Sequence, residues 1–429
     1  MSRIENPREA IKDDSTGIFC LSIMCQYGLL TFFLFIHNYF LNLKINKGWE
    51  QHKLGEISKR VRNNDGRMNL PLLTISARYG WMTQQSRFSA SIAGREKKNY
   101  TLLKKHQLSY NHGNSKVAIY GTVYELTDYD EALVPKVYHS FSLTPENLSK
   151  FIEAYFHTKK LDAQLGKFIA STARMDGLLN ISFDDFMKVK LFAPEQCEQS
   201  KISRIINLIE NLITLQQRKL KQLKQLKKAM LQQLLANQSF PKVRFNDFKD
   251  SWKDYRLGEV FDEFSVKSKK ENEYKLLSST TSGMESRSGR VSGHSNIGYK
   301  VIDNGDIVLS PQNLWLGNIN LNNMGKGIVS PSYHTFKIVN ANPIFVNFQL
   351  KTKKMLFEYK MISVQGASVV RRNLDMDAFK KIVIKIPNEK EQIKIASLFS
   401  SISNIINNHQ NKLTQLTTLK KYLLQKLFI

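Results

Sequence analysis

Apolar side chains recur every three or four residues along residues 195–238, a stretch without glycine or proline. The positions that set this period are Ile202, Ile206, Ile209, Ile213, Leu220, Leu223, Met230 and Leu234. A helix places residues at this spacing on one side, so the pattern predicts a long amphipathic helix with the seam of a coiled coil. At 1.5 Å per residue, a helix of about forty residues is roughly 60 Å long. A rod of this length is typical of a spacer.

The same pattern returns 193 residues later in the chain. Its positions are Ile395, Phe399, Ile402, Ile406, Leu413, Leu416, Leu423 and Leu427. The first seam has polar breaks at Gln216 and Lys227, and these breaks return as His409 and Lys420. Two helices with matching breaks are not expected by chance, so the repeat predicts an internal duplication.

The segments between the helices carry paired landmarks as well. Trp49 and the Leu-Gly-Glu of Leu54–Glu56 match Trp252 and a second Leu-Gly-Glu at an offset of 203 residues, whereas Pro194 matches Pro387 at the helix offset. Short apolar runs such as those at 70–76, 116–126, 274–280 and 306–310 predict strands. The predicted organisation is two α/β (α+β) domains at 48–194 and 252–388, each followed by a long helix at 195–237 and 389–429, with a linker at 238–251.

The amino-terminal segment 1–47 is atypical, because residues 15–43 contain no Asp, Glu, Lys or Arg. By hydropathy this stretch is long enough to span a bilayer, which predicts a membrane anchor. The second half of the duplication has no counterpart of it, which favours an incorrect start or an upstream frame error. We prefer the second interpretation, and the sequence alone leaves both open.

Charge narrows the class of partner. Lys and Arg number 63 against 37 Asp and Glu, which gives a formal net charge of +26. An excess this large favours a polyanionic partner, above all nucleic acid. The three cysteines form no CxxC pair, so the sequence predicts neither a disulfide framework nor a zinc site and fits a reducing cytosol.

Motifs of catalysis are not recognisable. The sequence Asn-Pro-Ile-Phe at 342–345 resembles the Asn-Pro-Pro-Phe/Tyr motif of amino-methyltransferases, but the second proline and a glycine-rich cofactor loop are missing. We interpret it as a turn followed by a helix. A Glu-x-Lys triplet at 273–275 lacks a supporting Pro-Asp pair, and there is no GxxxxGK loop for ATP. The sequence therefore predicts no catalytic residue and no metal ligand.

Polar and aromatic residues suited to DNA are concentrated in two regions, because lysine can hold phosphates while amide and aromatic groups can reach base edges. The candidates in the first half are Lys104, Lys105, Tyr110, Asn111, His112, Asn114 and Lys116. Those in the second half are Arg287, Arg290, His294, Gln312, Asn313, Trp315, Arg371 and Arg372. Each one taken singly is also compatible with an ordinary surface loop.

The first half of each predicted helix is apolar over a face wider than the seam. The residues expected on these faces are Ile205, Leu208, Leu212, Leu398, Ile402 and Ile405. One interpretation is a docking surface for a further protein, and the other is burial beneath the domain that precedes each helix.

Together these motifs resemble the specificity subunit of a type I restriction-modification system. The resemblance rests on the Trp and Leu-Gly-Glu that open each half, the Pro that closes each domain, a Glu-Gln pair after it, and the helix ending LKKxxLQxL at 226–234 and 419–427. It covers residues 48–429. The departure is the apolar amino terminus, where the family carries a short polar lead.

The resemblance implies two target-recognition domains that each read one half of a bipartite, asymmetric double-stranded DNA sequence, with an antiparallel helix pair that sets the gap. It implies that chemistry lies in partner subunits: methyltransferase subunits that use S-adenosylmethionine to methylate adenine, and restriction subunits that use ATP and magnesium. The chain itself would be a non-catalytic, cytoplasmic subunit without a cofactor. The alternatives are a membrane-tethered coiled-coil interaction protein and a self-sufficient DNA enzyme.

Overall fold

The structure, a computed structural model, describes residues 48–88, 94–113, 115–170, 178–235, 237–287, 295–365 and 372–428. The apolar segment 15–43 lies outside the described residues. Within them, no helix has both the length and the apolar character needed to cross a membrane. The chain divides into a first unit, which ends at Leu215 and resumes at Thr414, and a second unit, Gln216–Leu413.

The described elements of the first unit run to the first half of the first long helix and include the end of the second. Its strands are β1 (Glu50–Lys53), β2 (Ser58–Val61), β3 (Leu73–Ser76), β4 (Gly80–Thr83), β5 (Thr101–Lys104), β6 (Leu108–Asn111), β7 (Thr122–Glu125), β8 (Glu131–Val134), β9 (His139–Leu143) and β10 (Lys190–Ala193). Its helices are α1 (Gln84–Phe88), α2 (Ser149–His157), α3 (Asp162–Phe168), α4 (Phe183–Met187) and α5 (Gln196–Leu234), which continues into the second unit.

The second unit has a similar order of elements. Its strands are β11 (Lys253–Arg256), β12 (Phe261–Phe264), β13 (Lys275–Ser279), β14 (Met284–Ser286), β15 (Lys300–Ile302), β16 (Ile307–Leu309), β17 (Ile319–Leu321), β18 (Gly327–Val329), β19 (His334–Ile338), β20 (Ser363–Gln365), β21 (Arg372–Leu374) and β22 (Val383–Ile386). Its helices are α6 (Leu257–Val260), α7 (Pro343–Gln349), α8 (Lys353–Met361), α9 (Met376–Lys381) and α10 (Glu389–Lys426), whose last turns belong to the first unit.

Both units contain one antiparallel four-stranded sheet with the same topology. Its order is β2-β9-β6-β7 in the first unit and β12-β19-β16-β17 in the second. Arg60 lies opposite Phe141 in the first sheet, and Glu263 lies opposite Phe336 in the second. The antiparallel pairs β1-β10 and β11-β22 also correspond. The other strands differ, since the first unit adds the pairs β3-β4 and β5-β8 where the second adds a sheet of order β14-β13-β18-β15 and the pair β20-β21. The frame is repeated, while the parts built around it have diverged.

The Leu-Gly-Glu motif has the same role in both units. The backbone N–H of Leu54 donates to the carbonyl of Val189 at 2.8 Å, and Leu257 does the same to Ile382 at 2.9 Å. A Cβ at Gly55 would lie 3.3 Å from a backbone oxygen of the helix turn that precedes β10. Glycine therefore allows the close approach that joins the start of each domain to its end, which confirms that the two motifs are equivalent.

The glutamine of each Glu-Gln pair holds the start of a long helix. The side chain of Gln199 donates to the carbonyl of Pro194 at 2.9 Å and accepts from the backbone N–H of Leu148 at 3.0 Å. Gln392 makes the first of these bonds to Pro387, also at 2.9 Å. Both glutamines are buried, so the amides tie the helix start to the domain that precedes it.

The bond between Leu148 and Gln199 also has a counterpart in the second unit, where the backbone N–H of Asn342 donates to the side chain of Gln392 at 2.8 Å. The side chain of Asn342 accepts from the backbone N–H groups of Ile344 and Phe345, which makes it the N-cap of α7. Phe345 is fully buried. The interpretation of residues 342–345 as a turn followed by a helix is confirmed.

The long helices α5 and α10 pack in antiparallel directions, which confirms the predicted fold class. In the second unit, Gln216 contacts His409 at 2.7 Å, and Lys227, farther along α5, contacts Ser403, which is earlier in α10, also at 2.7 Å. The predicted polar breaks at 216 and 409 therefore meet each other. In the first unit, the seam leucines at the end of α10 share one buried cluster with the isoleucines at the start of α5.

The first unit repeats one of these polar contacts with a different partner. Lys420 lies 2.8 Å from the carboxylate of Glu210. At the repeat offset of 193 residues, Lys420 corresponds to Lys227 and Ser403 corresponds to Glu210. The same lysine position thus meets a carboxylate in one unit and a hydroxyl group in the other.

Candidate nucleic-acid interface

Two of the predicted lysines lie at the exposed end of β5. Lys104 is exposed and lines a groove with Arg62, Asn63 and other residues of the loop after β2. Lys105 forms an ion pair with Asp130 at 3.1 Å, and both side chains are largely exposed. Such a surface pair contributes about 0–1 kcal/mol, so Lys105 can exchange this partner for a phosphate.

The strand β2 and the residue that follows it add cations that the sequence analysis did not identify. Lys59, Arg60 and Arg62 are all exposed. The Arg60 guanidinium lies 4.0 Å from the ring centroid of Phe183. Burial, followed by the charge of Arg62, lowers the pKa of Arg60, although Asp184 opposes this shift. The signal in the sequence was the run Lys-Arg-Val-Arg at 59–62, which follows the Leu-Gly-Glu motif closely.

Tyr110, one of the DNA-binding candidates, lies in the core. Its ring is fully buried and stacks on Phe186 with a centroid distance of 4.4 Å. Its hydroxyl donates to the carbonyl of Tyr120 at 2.6 Å, and burial raises its pKa. The strand β6 lies between β9 and β7, and Phe186 of α4 covers the Tyr110 ring.

The neighbours of Tyr110 are also used internally. His112 is 2% exposed, and its two ring nitrogens lie 2.7 and 2.8 Å from backbone carbonyl oxygens. The side-chain amide of Asn111 donates to the carbonyl of Ile75 at 3.0 Å. Both side chains are therefore engaged in hydrogen bonds within the first unit. Lys116 is exposed, and Asn114 lies outside the described residues.

In the second unit, four candidates lie in the 3-10 helix Pro311–Leu316 or against it. The guanidinium of Arg372 lies 5.3 Å from the ring centroid of Trp315. Arg372 Nη1 also donates to the carbonyl of Ser363 at 3.0 Å. Gln312 is exposed and Asn313 is half-buried beside this pair. The structure therefore brings a positioned cation, an aromatic ring and two amides onto one surface.

Of the remaining candidates of the second unit, Arg287 lies within the described residues. Arg287 is exposed directly after β14, and its backbone N–H donates to the carbonyl of Leu276 at 3.0 Å. Arg290, His294 and Arg371 lie outside the described residues.

Most of the predicted docking face is covered by the chain itself. Ile205 and Leu208 pack against the core of the first unit, and Leu212 is 5% exposed. In the second unit Leu398 packs against the core and Ile402 is 8% exposed, whereas Ile405 is 44% exposed. Ile205, Leu208, Leu212 and Leu398 are therefore packed into the cores of their units, Ile402 is buried, and Ile405 is exposed.

One cluster in the first unit has the residue types of a metal site. Glu153, His157 and Glu210 place their ligand atoms within 4.8 Å of one another. Lys150 lies 3.0 Å from Glu153 and 2.6 Å from Glu210. Burial opposes ionisation of Glu210, but the charges of Lys150 and Lys420 outweigh it and lower its pKa to about 2. These lysines supply the countercharge, so the residues do not fit a metal ion.

The surroundings of His139, at the start of β9, make the stability of the first unit depend on pH. Burial lowers the pKa of His139 to about 4, and a hydrogen bond to the carbonyl of Ile181 opposes this shift. Because its pKa is lower in the folded state, its contribution to stability is complete above pH 6.5 and is lost as the pH falls towards 4.

We expect that a His139→Gln variant of the full chain loses this dependence, which amounts to about 2–3 kcal/mol between pH 7 and pH 4. Urea unfolding at a series of pH values measures it. His334→Gln is the matched control, because His334 begins β19 but is paired with Glu263 at 2.7 Å near the surface. An equal pH effect of both variants would contradict this account.

Comparison with known proteins finds one family model that matches part of the chain. Residues 249–418 match the family model described as "Type I restriction modification DNA specificity domain". No curated protein matches the chain.

Solved structures match over most of the chain. The S subunit of a type I restriction-modification system from M. genitalium has 14% sequence identity and a TM-score of 0.57, with coverage of 90% of this chain and 98% of that chain. The HsdS subunit from Thermoanaerobacter tengcongensis has 15% identity and a TM-score of 0.41, with coverage of 89% and 97%. The first likeness shows the fold, and the resemblance inferred from the sequence motifs is confirmed.

Proposed function

We propose that the chain is the subunit that reads a bipartite, asymmetric DNA target, because residues 249–418 match the family model of the type I restriction modification DNA specificity domain. The observation that carries the proposal is the repeated frame, because a sheet of one topology occurs in each unit with different strands added around it. Two related readers with diverged surfaces suit a target with two unlike halves.

We propose different roles for the polar surfaces of the two units. In the first unit, the exposed cations Lys59, Arg62, Lys104 and Lys116 would bind phosphates, which position a protein on DNA without selecting a sequence. In the second unit, the amides of Gln312 and Asn313 have the donors and acceptors needed for base edges. The Arg372–Trp315 pair would hold this second surface rigid.

The chemistry is assigned to partner subunits. Methyltransferase subunits would bring S-adenosylmethionine and methylate adenine, and restriction subunits would bring ATP and magnesium, while this chain acts in the cytoplasm as a non-catalytic guide. Ile405 is the exposed residue of the predicted apolar faces, and we propose that it docks a methyltransferase subunit.

The length of the α5 and α10 pair is proposed to set the gap between the two half-sites. Insertion of seven residues at equivalent positions of both helices adds about 10 Å. Since DNA rises 3.4 Å per base pair along each strand, we expect the gap in the methylated motif to grow by about three base pairs. Sequencing of methylated adenines in cells that also express the methyltransferase subunit measures the gap.

The control for this experiment is an insertion of the same seven residues into the linker at 238–251, outside both long helices. It is expected to leave the gap unchanged. A motif with an unaltered gap after the helix insertions would exclude the helix pair as the determinant of spacing, even if methylation itself continues.

A further inference from the structure

The duplication allows the charges around the long helices to be compared position by position. The backbone N–H of Leu148 donates to the side chain of Gln199, and that of Asn342 donates to the side chain of Gln392. This equivalence sets an offset of 194 residues between α2 and α7. At this offset Glu153 corresponds to Asn347. Glu153 accepts the backbone N–H of a β7 residue at 3.0 Å, and Asn347 accepts that of Leu321 in β17, also at 3.0 Å. The two positions are therefore structurally equivalent.

In the first unit the charges at these positions are balanced. Lys150 and Lys420 lie within 3.0 Å of Glu153 or Glu210. The second unit retains the lysine that corresponds to Lys420, which is Lys227. Both carboxylates are replaced there by uncharged residues, Asn347 and Ser403, and the position of His157 is taken by a second lysine, Lys351. The second unit thus has two cations where the first has two ion-paired cations and two carboxylates.

The two lysines of the second unit are held in place but not neutralised. Lys227 Nζ lies 2.7 Å from Ser403 Oγ and 5.3 Å from the ring centroid of Phe348. Lys351 donates to the side-chain carbonyl of Asn320, which is 1% exposed. Both lysines are half-buried. In the part of the chain that the structure describes, neither has a carboxylate oxygen within 4.0 Å.

Two uncompensated ammonium groups in a half-buried setting repel each other. Burial, followed by the charge of Lys227, lowers the pKa of Lys351 to about 8. Burial also lowers the pKa of Lys227. A bound anion would remove this repulsion, because it supplies the countercharge that Glu210 and Glu153 supply in the first unit.

We propose that Lys227 and Lys351 form a binding site for a phosphate group. Each ammonium has three N–H donors, and each uses one in the contact to Ser403 or Asn320. The four remaining donors suit an oxyanion with several acceptor oxygens. The phosphate can come from free inorganic phosphate or from the backbone of bound DNA, and the two sources are separated by experiment.

The first experiment titrates inorganic phosphate into the full chain by calorimetry at constant ionic strength, with chloride as the other anion. Saturable binding of one phosphate is expected for the natural sequence. Ser403→Glu places a carboxylate at the position of Glu210 and is expected to weaken phosphate binding at least tenfold, as is Lys351→Gln. Ser401→Glu is the matched control, because it adds the same charge at an exposed position of α10 and should bind like the natural sequence.

Equal phosphate binding by the Ser403→Glu and Ser401→Glu variants would overturn the proposal and leave only an adventitious ion. Circular dichroism verifies that each variant is folded. The source is identified by DNA titrations over a range of salt concentrations. If a backbone phosphate occupies the site, Ser403→Glu lowers the slope of log affinity against log salt by about 1–2; an unchanged slope with lost phosphate binding assigns the site to the free ion.

Discussion

Replacement of Arg244 by methionine is expected to lower the free energy of unfolding of the second unit by about 3–5 kcal/mol. Arg244 Nε and Nη2 each donate to one oxygen of the Glu391 carboxylate at 2.7 Å. The Glu391 side chain is fully buried and that of Arg244 is 11% exposed. Removal of the guanidinium leaves a buried carboxylate without its countercharge, which is the costly way to break a buried ion pair.

The matched control for Arg244 is Lys394→Met. Lys394 joins the same two segments through Asp247 at 2.7 Å, but the side chains are 46% and 70% exposed. An exposed pair of this kind contributes less than about 1 kcal/mol. Urea unfolding gives the free energies, and hydrogen exchange of the first turns of α10 localises the effect. Equal losses in the two variants would show that the buried pair has no special role.

Phe379→Ala is expected to have a similar effect on the second unit, with a loss of about 3–5 kcal/mol. Phe379 is fully buried, and its ring centroid lies 5.8 Å from that of Phe261 and 6.3 Å from that of Phe336. Truncation removes a large apolar side chain and leaves a cavity among aromatic rings that cannot collapse without moving two strands.

Its repeat counterpart is Phe186, which is also fully buried, so Phe186→Ala should destabilise the first unit by a similar amount. The control is Phe357→Ala, since Phe357 is 60% exposed and its truncation is expected to cost less than about 0.5 kcal/mol. These values are measured by urea unfolding of the full chain. A Phe379→Ala variant as stable as Phe357→Ala would exclude Phe379 as a core residue.

The long helices and the duplication could be predicted from the sequence because both depend on spacing along the chain. The predicted helices at 195–237 and 389–429 agree within three residues with α5 and α10, which are Gln196–Leu234 and Glu389–Lys426. The antiparallel direction is confirmed by contacts within each unit. The predicted domain bounds stay a prediction, because the compact units divide each helix near its middle.

The candidate interface was less predictable, because exposure depends on packing between distant parts of the chain. Tyr110 has the residue type of a base contact, yet its ring stacks on Phe186 and is fully buried. Arg62 lies 42 positions before Lys104 in the sequence, and the fold brings both to one groove. No local pattern predicts which of these side chains stays exposed.

Equivalent positions of the two repeats can have different partners, and these differences are not visible from the repeated pattern. Lys227 and Lys420 occupy one position of the seam and are equal in type. Their partners differ, since Lys420 meets Glu210 and Lys227 meets Ser403. In the sequence both lysines are polar breaks in an apolar seam. The contacts in the structure show that Lys420 has a carboxylate partner, whereas Lys227 has a hydroxyl partner.

The most direct test of the central claim is a map of methylated adenines in cells that express the full chain together with a type I methyltransferase subunit, compared with cells that express that subunit alone. We predict a new methylated motif with two unlike halves separated by a gap of unspecified bases, present only when the chain is expressed. If the two proteins associate and the subunit is active but no such motif arises, the chain does not select the DNA target and the proposed function is wrong.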